Sequence, residues 1–150
     1  MLARRSSIEL LWILLFLAMV CQSQKPVNSV VFQILNSEKK IFNVEEYGAV
    51  GDGVAINTVA LQKAIDTCSE SGGGIVRIPA GQFVIGTVQI KSNVTLSLDH
   101  GAELLGSQDI NDYPTDKLSQ AREGQSQCLF YAKDASNIRF EGLGVIDGRG

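Results

Sequence analysis

Positive charge is in short supply in this chain, no apolar run reaches the length of a bilayer, and only one segment carries helical spacing. Each shortage removes a class of protein. Of 13 basic and 16 acidic side chains, Arg4, Arg5 and Glu9 lie in the first 23 residues, leaving 11 against 15 and a net charge of −4. A general nucleic-acid binder needs a basic stripe to displace counterions from phosphates, so that class is excluded. An anionic sugar is a different matter, because a few local cations can hold it. The long apolar run, ELLWILLFLAMV, is about a dozen residues and opens on Glu9. A bilayer needs roughly 20. Preceded by MLARRSS and followed by small or polar residues, the run has the form of a signal peptide, with cleavage expected near Ser23. Cys21 does not make it a lipoprotein leader, because Val20 stands where a small residue is needed. Residues 1–23 are therefore set aside as a leader, 24–40 as a polar lead-in, and 41–150 as the folded domain. Export places that domain outside the cell or in the cell wall, or in the periplasm of a Gram-negative host, without a membrane anchor.

Tryptophan and cysteine are scarce as well. Trp12 and Cys21 fall in the leader, so only Cys68 and Cys128 remain. They either pair in an oxidising compartment or stand as separate buried thiols, and their spacing leaves both readings open.

What is present begins at Ile41, where IFNV reads as a first strand. From Asn57, whose side-chain oxygen can cap a helix, Leu61, Ala64, Ile65 and Cys68 recur at i, i+3, i+4 and i+7. Gln62, Lys63, Asp66 and Thr67 take the opposite face, and Gly72-Gly73-Gly74 ends the helix. Downstream the chain reads as short strands: IVRI (75–78), FVIG (83–86), TVQI (87–90), VTLSL (94–98), AELLG (102–106), NIRFEG (137–142) and GVID (144–147). Compact turns of Gly, Asn, Asp or Pro separate most of them and leave no room for crossover helices.

A weak internal echo runs through these strands. Asn93-Val94-Thr95-Leu96 and Asn137-Ile138-Arg139-Phe140 share one pattern of asparagine, β-branched, polar and large apolar residues. Short, near-equal strands with such an echo predict an all-β parallel β-helix, a solenoid with coils of about 20 to 25 residues. An asparagine at each strand entry suits a left-handed turn position or a side-chain ladder. Periodicity alone also admits a β-sandwich.

The stretch YGAVGDG, between the first strand and the helix, raises the question of a phosphate loop. Gly48, Gly51 and Gly53 give GxxGxG, the reverse of the dinucleotide order GxGxxG. The next strand, IVRIP, ends without a carboxylate to hold a ribose. A nucleotide site is therefore excluded, and the helix reads as a cap covering the apolar end and the open strand edges of the solenoid.

Taken together, FNVEEYGAVGDG, NTVALQKAIDTC, GGGIVRIPAGQF, KSNVTLSLDHGAELLGSQDINDYP and NIRFEGLGVIDGRG resemble the start of the polygalacturonases, glycoside hydrolase family 28 of the pectin-lyase-like superfamily. The first motifs are shared across that superfamily, while LDHGAELLGSQDINDYP and GVIDGRG point to the hydrolases. The resemblance covers residues 41–150. It implies a right-handed parallel β-helix, hydrolysis of α-1,4-linked galacturonate or a related pectic linkage with inversion, a pectic polysaccharide as partner, no cofactor or metal, and a monomer. It also implies paired aspartates on Asn-x-Asp and Asp-Asp motifs, followed by Gly-His-Gly and Arg-x-Lys. None of the four occurs in this chain. No catalytic residue is therefore assigned, and the chain is expected to be a truncated, inactive portion carrying the cap and first coils. The rival reading is a non-catalytic β-helix for carbohydrate binding or surface attachment; a lyase would need calcium-binding carboxylates and basic residues equally unseen.

Several residues imitate sites. His100 in Asp99-His100-Gly101 lies in a turn rather than in a Gly-His-Gly motif. Asp109, Asn111, Asp112 and Asp116 form an acidic cluster, but Tyr113 and Pro114 stand where an EF-hand loop wants a ligand and a glycine, so it reads as a solvated loop. Asp147, among Gly144, Gly148 and Gly150, reads as a turn cap. The polar excursion from Ser107 to Gln127 is long enough to wall a cleft, with Tyr113 and Arg122 as its candidate sugar contacts. Asn93-Val94-Thr95 is a glycosylation acceptor in a eukaryotic host and a plain turn in a bacterial one.

Overall fold

The computed structural model describes residues 39–113 and 128–149. The leader, its cleavage point, Asp116 and Arg122 lie outside the described residues. The chain forms β1 (Ile41–Asn43), a 3-10 turn (Val44–Tyr47), β2 (Asp52–Ile56), helix α1 (Thr58–Glu70), β3 (Gly74–Ile78), β4 (Gly81–Ile85), β5 (Val88–Ile90), β6 (Val94–Leu98), β7 (Ala102–Gly106), a 3-10 turn (Ile110–Asp112), β8 (Phe130–Ala132), β9 (Arg139–Gly142) and β10 (Val145–Asp147). They make three sheets in the orders β1-β3-β6-β9, β2-β4-β7-β10 and β5-β8, every pair parallel.

Consecutive strands thus lie in different sheets, and each strand pairs with its counterpart one coil away. That is a right-handed parallel β-helix, and a β-sandwich with antiparallel sheets is ruled out. Ile75 lies opposite Thr95 and Gly81 opposite Ala102, so this coil takes 20 to 21 residues. The step grows to 42 between Val88 and Phe130, because the polar excursion after β7 is inserted there.

Alternation sets what fills the solenoid. Phe42, Val76, Leu96 and Phe140 stack in one inward column, and Phe83, Leu104 and Ile146 in another. Burial of the fully enclosed members, Val76, Leu96, Phe83 and Leu104, contributes about 1.5–3 kcal/mol each. The columns are covered as far as β6 and β7 and exposed beyond them: Leu96 and Leu104 are 0% and 1% exposed, whereas Phe140 and Ile146 are 45% and 42% exposed.

Helix α1 stands where the first coil would place its third strand. Ala60, Leu61, Ala64, Ile65 and Cys68 are its buried face, including all four residues expected from the spacing. Its polar residues bond the free edge of β5 and the residues that flank it. Gly86 N–H donates to Thr58 Oγ1 (2.8 Å), Gln89 N–H to Gln62 Oε1 (2.8 Å), Gln62 Nε2 to Gln89 O (3.1 Å), and Ser69 Oγ to Ser92 O (3.1 Å). The carboxamide of Gln62 bonds β5 as a neighbouring strand would. Among the described residues no helix is long and apolar enough to cross a membrane.

The asparagine echo is a ladder. Asn93 and Asn137 have φ of 63° and 56°, and Asn137 Nδ2 donates to Asn93 Oδ1 at 2.9 Å. One coil earlier the position is Gly73, φ 106°, where a Cβ would come within 2.5 Å of Asn93 O. Glycine is required there by both conformation and space.

Asn57 differs from its expected role. Its side chain makes no capping bond to α1; instead Oδ1 accepts from Val50 N–H (2.7 Å), and Nδ2 donates to Val50 O (3.0 Å) and Ala55 O (2.7 Å). It thereby fastens YGAVGDG, within which Gly51 lies so close to Phe83 that a Cβ would meet the ring at 2.9 Å. The glycine loop is a structural strap. The helix ends at Ser71 as its C-cap, and Gly74 belongs to β3.

Candidate functional site

The ends of the polar excursion and the turn after β10 border an open cavity of about 540 Å³, lined among the described residues by Ser107, Gln108, Ile110, Tyr113, Cys128, Leu129, Gly148 and Arg149. Parallel register builds it. Because β10 lies beside β7 with Asp147 opposite Leu105, the residues following the two strands, Ser107 and Gln108 on one and Gly148 and Arg149 on the other, emerge together.

Local hydrogen bonds fix its walls. Tyr113 Oη donates to Ser107 O at 2.7 Å, which pins the ring across the mouth of the excursion. Thr87 N–H donates to Asp112 O (3.1 Å), and Thr87 Oγ1 donates to Cys128 O (2.8 Å), so both ends of the insertion are tied to one residue of the preceding coil. Asp109 caps the second 3-10 turn, accepting from Asn111 N–H (2.9 Å) and Asn111 Nδ2 (2.7 Å), while Ser107 Oγ donates to Asp112. The described members of the acidic cluster, Asp109, Asn111 and Asp112, are thus engaged in folding their own loop, and no group of three His, Cys, Asp or Glu is placed to hold a metal among the described residues. Asp147 accepts from Arg149 N–H at 2.9 Å, the turn-capping role expected of it, and holds Arg149 at φ 50°.

The electrostatics of the cavity follow from this. Burial, with the Asp112 charge adding, raises the Tyr113 phenol above its ordinary value, although Arg149 opposes the shift. Burial likewise raises the Cys128 thiol. Both are neutral near pH 7, so Arg149 is the charged group among the described lining residues, and none of them is a carboxylate. The cavity can accept an anionic group beside an aromatic ring. It holds no general acid and base among its described walls.

Other expected positions fall elsewhere. His100 is exposed in the turn between β6 and β7, beside Asp99, which accepts from Arg77 Nε (2.9 Å) and Nη2 (2.6 Å) on the outer sheet face. Cys68 and Cys128 are free thiols, the first buried under the cap. Asn93 is exposed at a strand entry, its Oδ1 engaged by the ladder. Of the two expected sugar contacts, Tyr113 lines the cavity. Arg149 was missed, yet the parallel register that sets GVIDGRG beside AELLGS was the signal that could have found it.

The family model "Rhamnogalacturonase A/epimerase, pectate lyase-like" matches residues 41–143. The chain is 42% identical over 124 residues to an exo-poly-α-D-galacturonosidase of Dickeya chrysanthemi, covering 74% of this chain and 20% of that protein. A family 28 exopolygalacturonase of Yersinia enterocolitica superposes with a TM-score of 0.65 at 40% identity, over 75% of this chain and 21% of the other. A hyperthermoactive exopolygalacturonase from Thermotoga maritima superposes with a TM-score of 0.60 at 26% identity, over 81% and 29%. The chain therefore spans between 20% and 29% of the length of these relatives.

Proposed function

The chain belongs to the rhamnogalacturonase A/epimerase, pectate lyase-like family, and from that premise we propose that it is the capped start of an exported hydrolase that cleaves galacturonosyl linkages of pectin. The observation that carries the proposal is the 42% identity to an exo-poly-α-D-galacturonosidase across most of the β-helix. The cavity supports it, since Arg149 offers a cation to a uronate carboxylate and Tyr113 offers a ring held by its own hydrogen bond.

Hydrolysis with inversion needs one carboxyl group to protonate the leaving oxygen and another to activate water, about 6.5–9.5 Å apart. The described cavity walls supply neither. In this reading the coils shown here seat the polysaccharide, and the carboxylate pair belongs to polypeptide beyond residue 150, in keeping with the greater length of the relatives. Residues 1–23 direct export with cleavage near Ser23, and the mature protein acts as a monomer in the extracellular space or cell wall.

The test is release of reducing ends from polygalacturonate, comparing the 150-residue chain with the product of its complete natural reading frame. The longer product is expected to hydrolyse the polymer and the 150-residue chain to be inactive. Hydrolysis by the 150-residue chain would refute this placement of the catalytic pair. Inactivity of both, with retained polysaccharide binding, would favour a non-catalytic carbohydrate-binding β-helix.

A further inference from the structure

A second concavity lies on another face of the solenoid, where α1 meets the outer side of β5 and β8. It has a volume of about 230 Å³ and is lined by Gln62, Asp66, Thr87, Gln89, Lys91 and Tyr131. We propose that this groove binds a single neutral sugar ring, separately from the cavity beside Tyr113 and Arg149.

Its size comes first. Ligand pockets for larger organic molecules run from roughly 300 Å³ upward, so this groove suits one ring or a chain end rather than an enclosed oligosaccharide. The lining is of the kind hydroxyl groups require. Gln89 lies opposite Tyr131 in the β5–β8 register, with Val88 and Ile90 buried on either side of it, so Gln89 and Tyr131 face outward together. An amide that both donates and accepts therefore stands next to an aromatic ring with a polar tip, a combination that serves surfaces apolar on one side and wet on the other.

Charge selects the ligand. Lys91 Nζ is bound to Asp66 Oδ1 at 2.9 Å, and the same oxygen accepts from Gln62 Nε2 at 2.8 Å. Bonding to Asp66, with Glu70 adding, keeps the Lys91 ammonium protonated. The one cation of the described lining is thus already matched by a carboxylate, with a second acid close by. A uronate would bring a further negative charge to a place whose described lining has no unmatched positive one. A neutral hydroxylated ring incurs no such cost, and it can donate to Asp66 and accept from Lys91 and Gln89.

The groove is also preorganised. Gln62 is held at both ends of its carboxamide by the backbone of Gln89, and Thr87 is tied to Cys128 O, so neither wall must be ordered on binding. This inference uses none of the catalytic reading above, and either can fail alone.

The experiment titrates the isotopically labelled 150-residue chain with galactobiose and with cellobiose, and with digalacturonate as the anionic comparator, following amide resonances. The neutral disaccharides are expected to shift Gln89, Lys91 and Tyr131 saturably. Tyr131→Ala should raise Kd about tenfold, and Gln89→Ala, an outward-facing change, should also weaken binding if the first variant fails to fold. The proposal is overturned if neither neutral sugar moves these resonances, if digalacturonate binds there more tightly, or if a folded variant leaves Kd unchanged.

Discussion

Asn57 shows how one side chain can decide a whole loop. It is 3% exposed and satisfies three backbone groups of a segment that otherwise has few partners. Leaving these part-buried amide and carbonyl groups without their partner is costly, so Asn57→Ala should cost about 1–2 kcal/mol, read as a lowered urea midpoint with an unchanged slope. Sequence reasoning saw asparagine before a helix and inferred a cap, because short-range preference is all that neighbouring letters carry. The actual partner, Val50, is set by the path of the chain around Phe83. The left-handed pair Asn93 and Asn137, by contrast, was legible, since the cause is local to each residue and the repetition was visible. Arg149 belongs to this scale too. If its guanidinium receives a uronate carboxylate, Arg149→Gln should weaken binding of digalacturonate about tenfold in calorimetric titration, in line with the loss of a charge-assisted hydrogen bond.

Among the elements, α1 closes the solenoid in two ways at once, by its apolar face and by a polar row that bonds the free edge of β5. The apolar face was readable from 3.6-residue spacing alone. The polar row was not, because nothing in Thr58, Gln62 and Ser69 announces that a strand edge lies beneath them. Gln62→Ala should leave Gln89 N–H unpaired, and its hydrogen exchange is expected to quicken by at least about tenfold while amides of β7 keep their protection. Equal exchange in both proteins would show that the carboxamide is dispensable to the edge. The strand β2 escaped notice because DGVAI has a glycine at its second position and an irregular register against β4. Pairing with β4, rather than its own propensity, makes it a strand. The three-residue β8 is likewise defined by β5.

For the molecule as a whole, the short strands, the coil length and the cap followed from turn residues, the asparagine echo and one amphipathic helix, while the parallel pairing that separates a solenoid from a sandwich is seen in the register of the strands. The cavity beside Tyr113 did not follow, because it forms between residues about 40 apart that only the register brings together. The two free thiols give stability a pH dependence. Burial raises the pKa of both Cys68 and Cys128, so the unfolded chain, ionising near pH 8.5, loses protons before the folded one does. Stability is then fully present below about pH 8.5 and declines as pH rises toward the folded values. A Cys68→Ala/Cys128→Ala variant should start less stable but show a flatter decline in its urea midpoint between about pH 7 and 9.5.

The central claim is that these residues are the capped first coils of a pectin-degrading hydrolase whose catalytic carboxylates lie further along the polypeptide. Reading the coding sequence immediately downstream of the Gly150 codon tests it most directly. The account predicts an open frame that continues into Asn-x-Asp, Asp-Asp and Gly-His-Gly motifs on further coils. A stop codon following Gly150, or a continuing frame without paired aspartates, would contradict it.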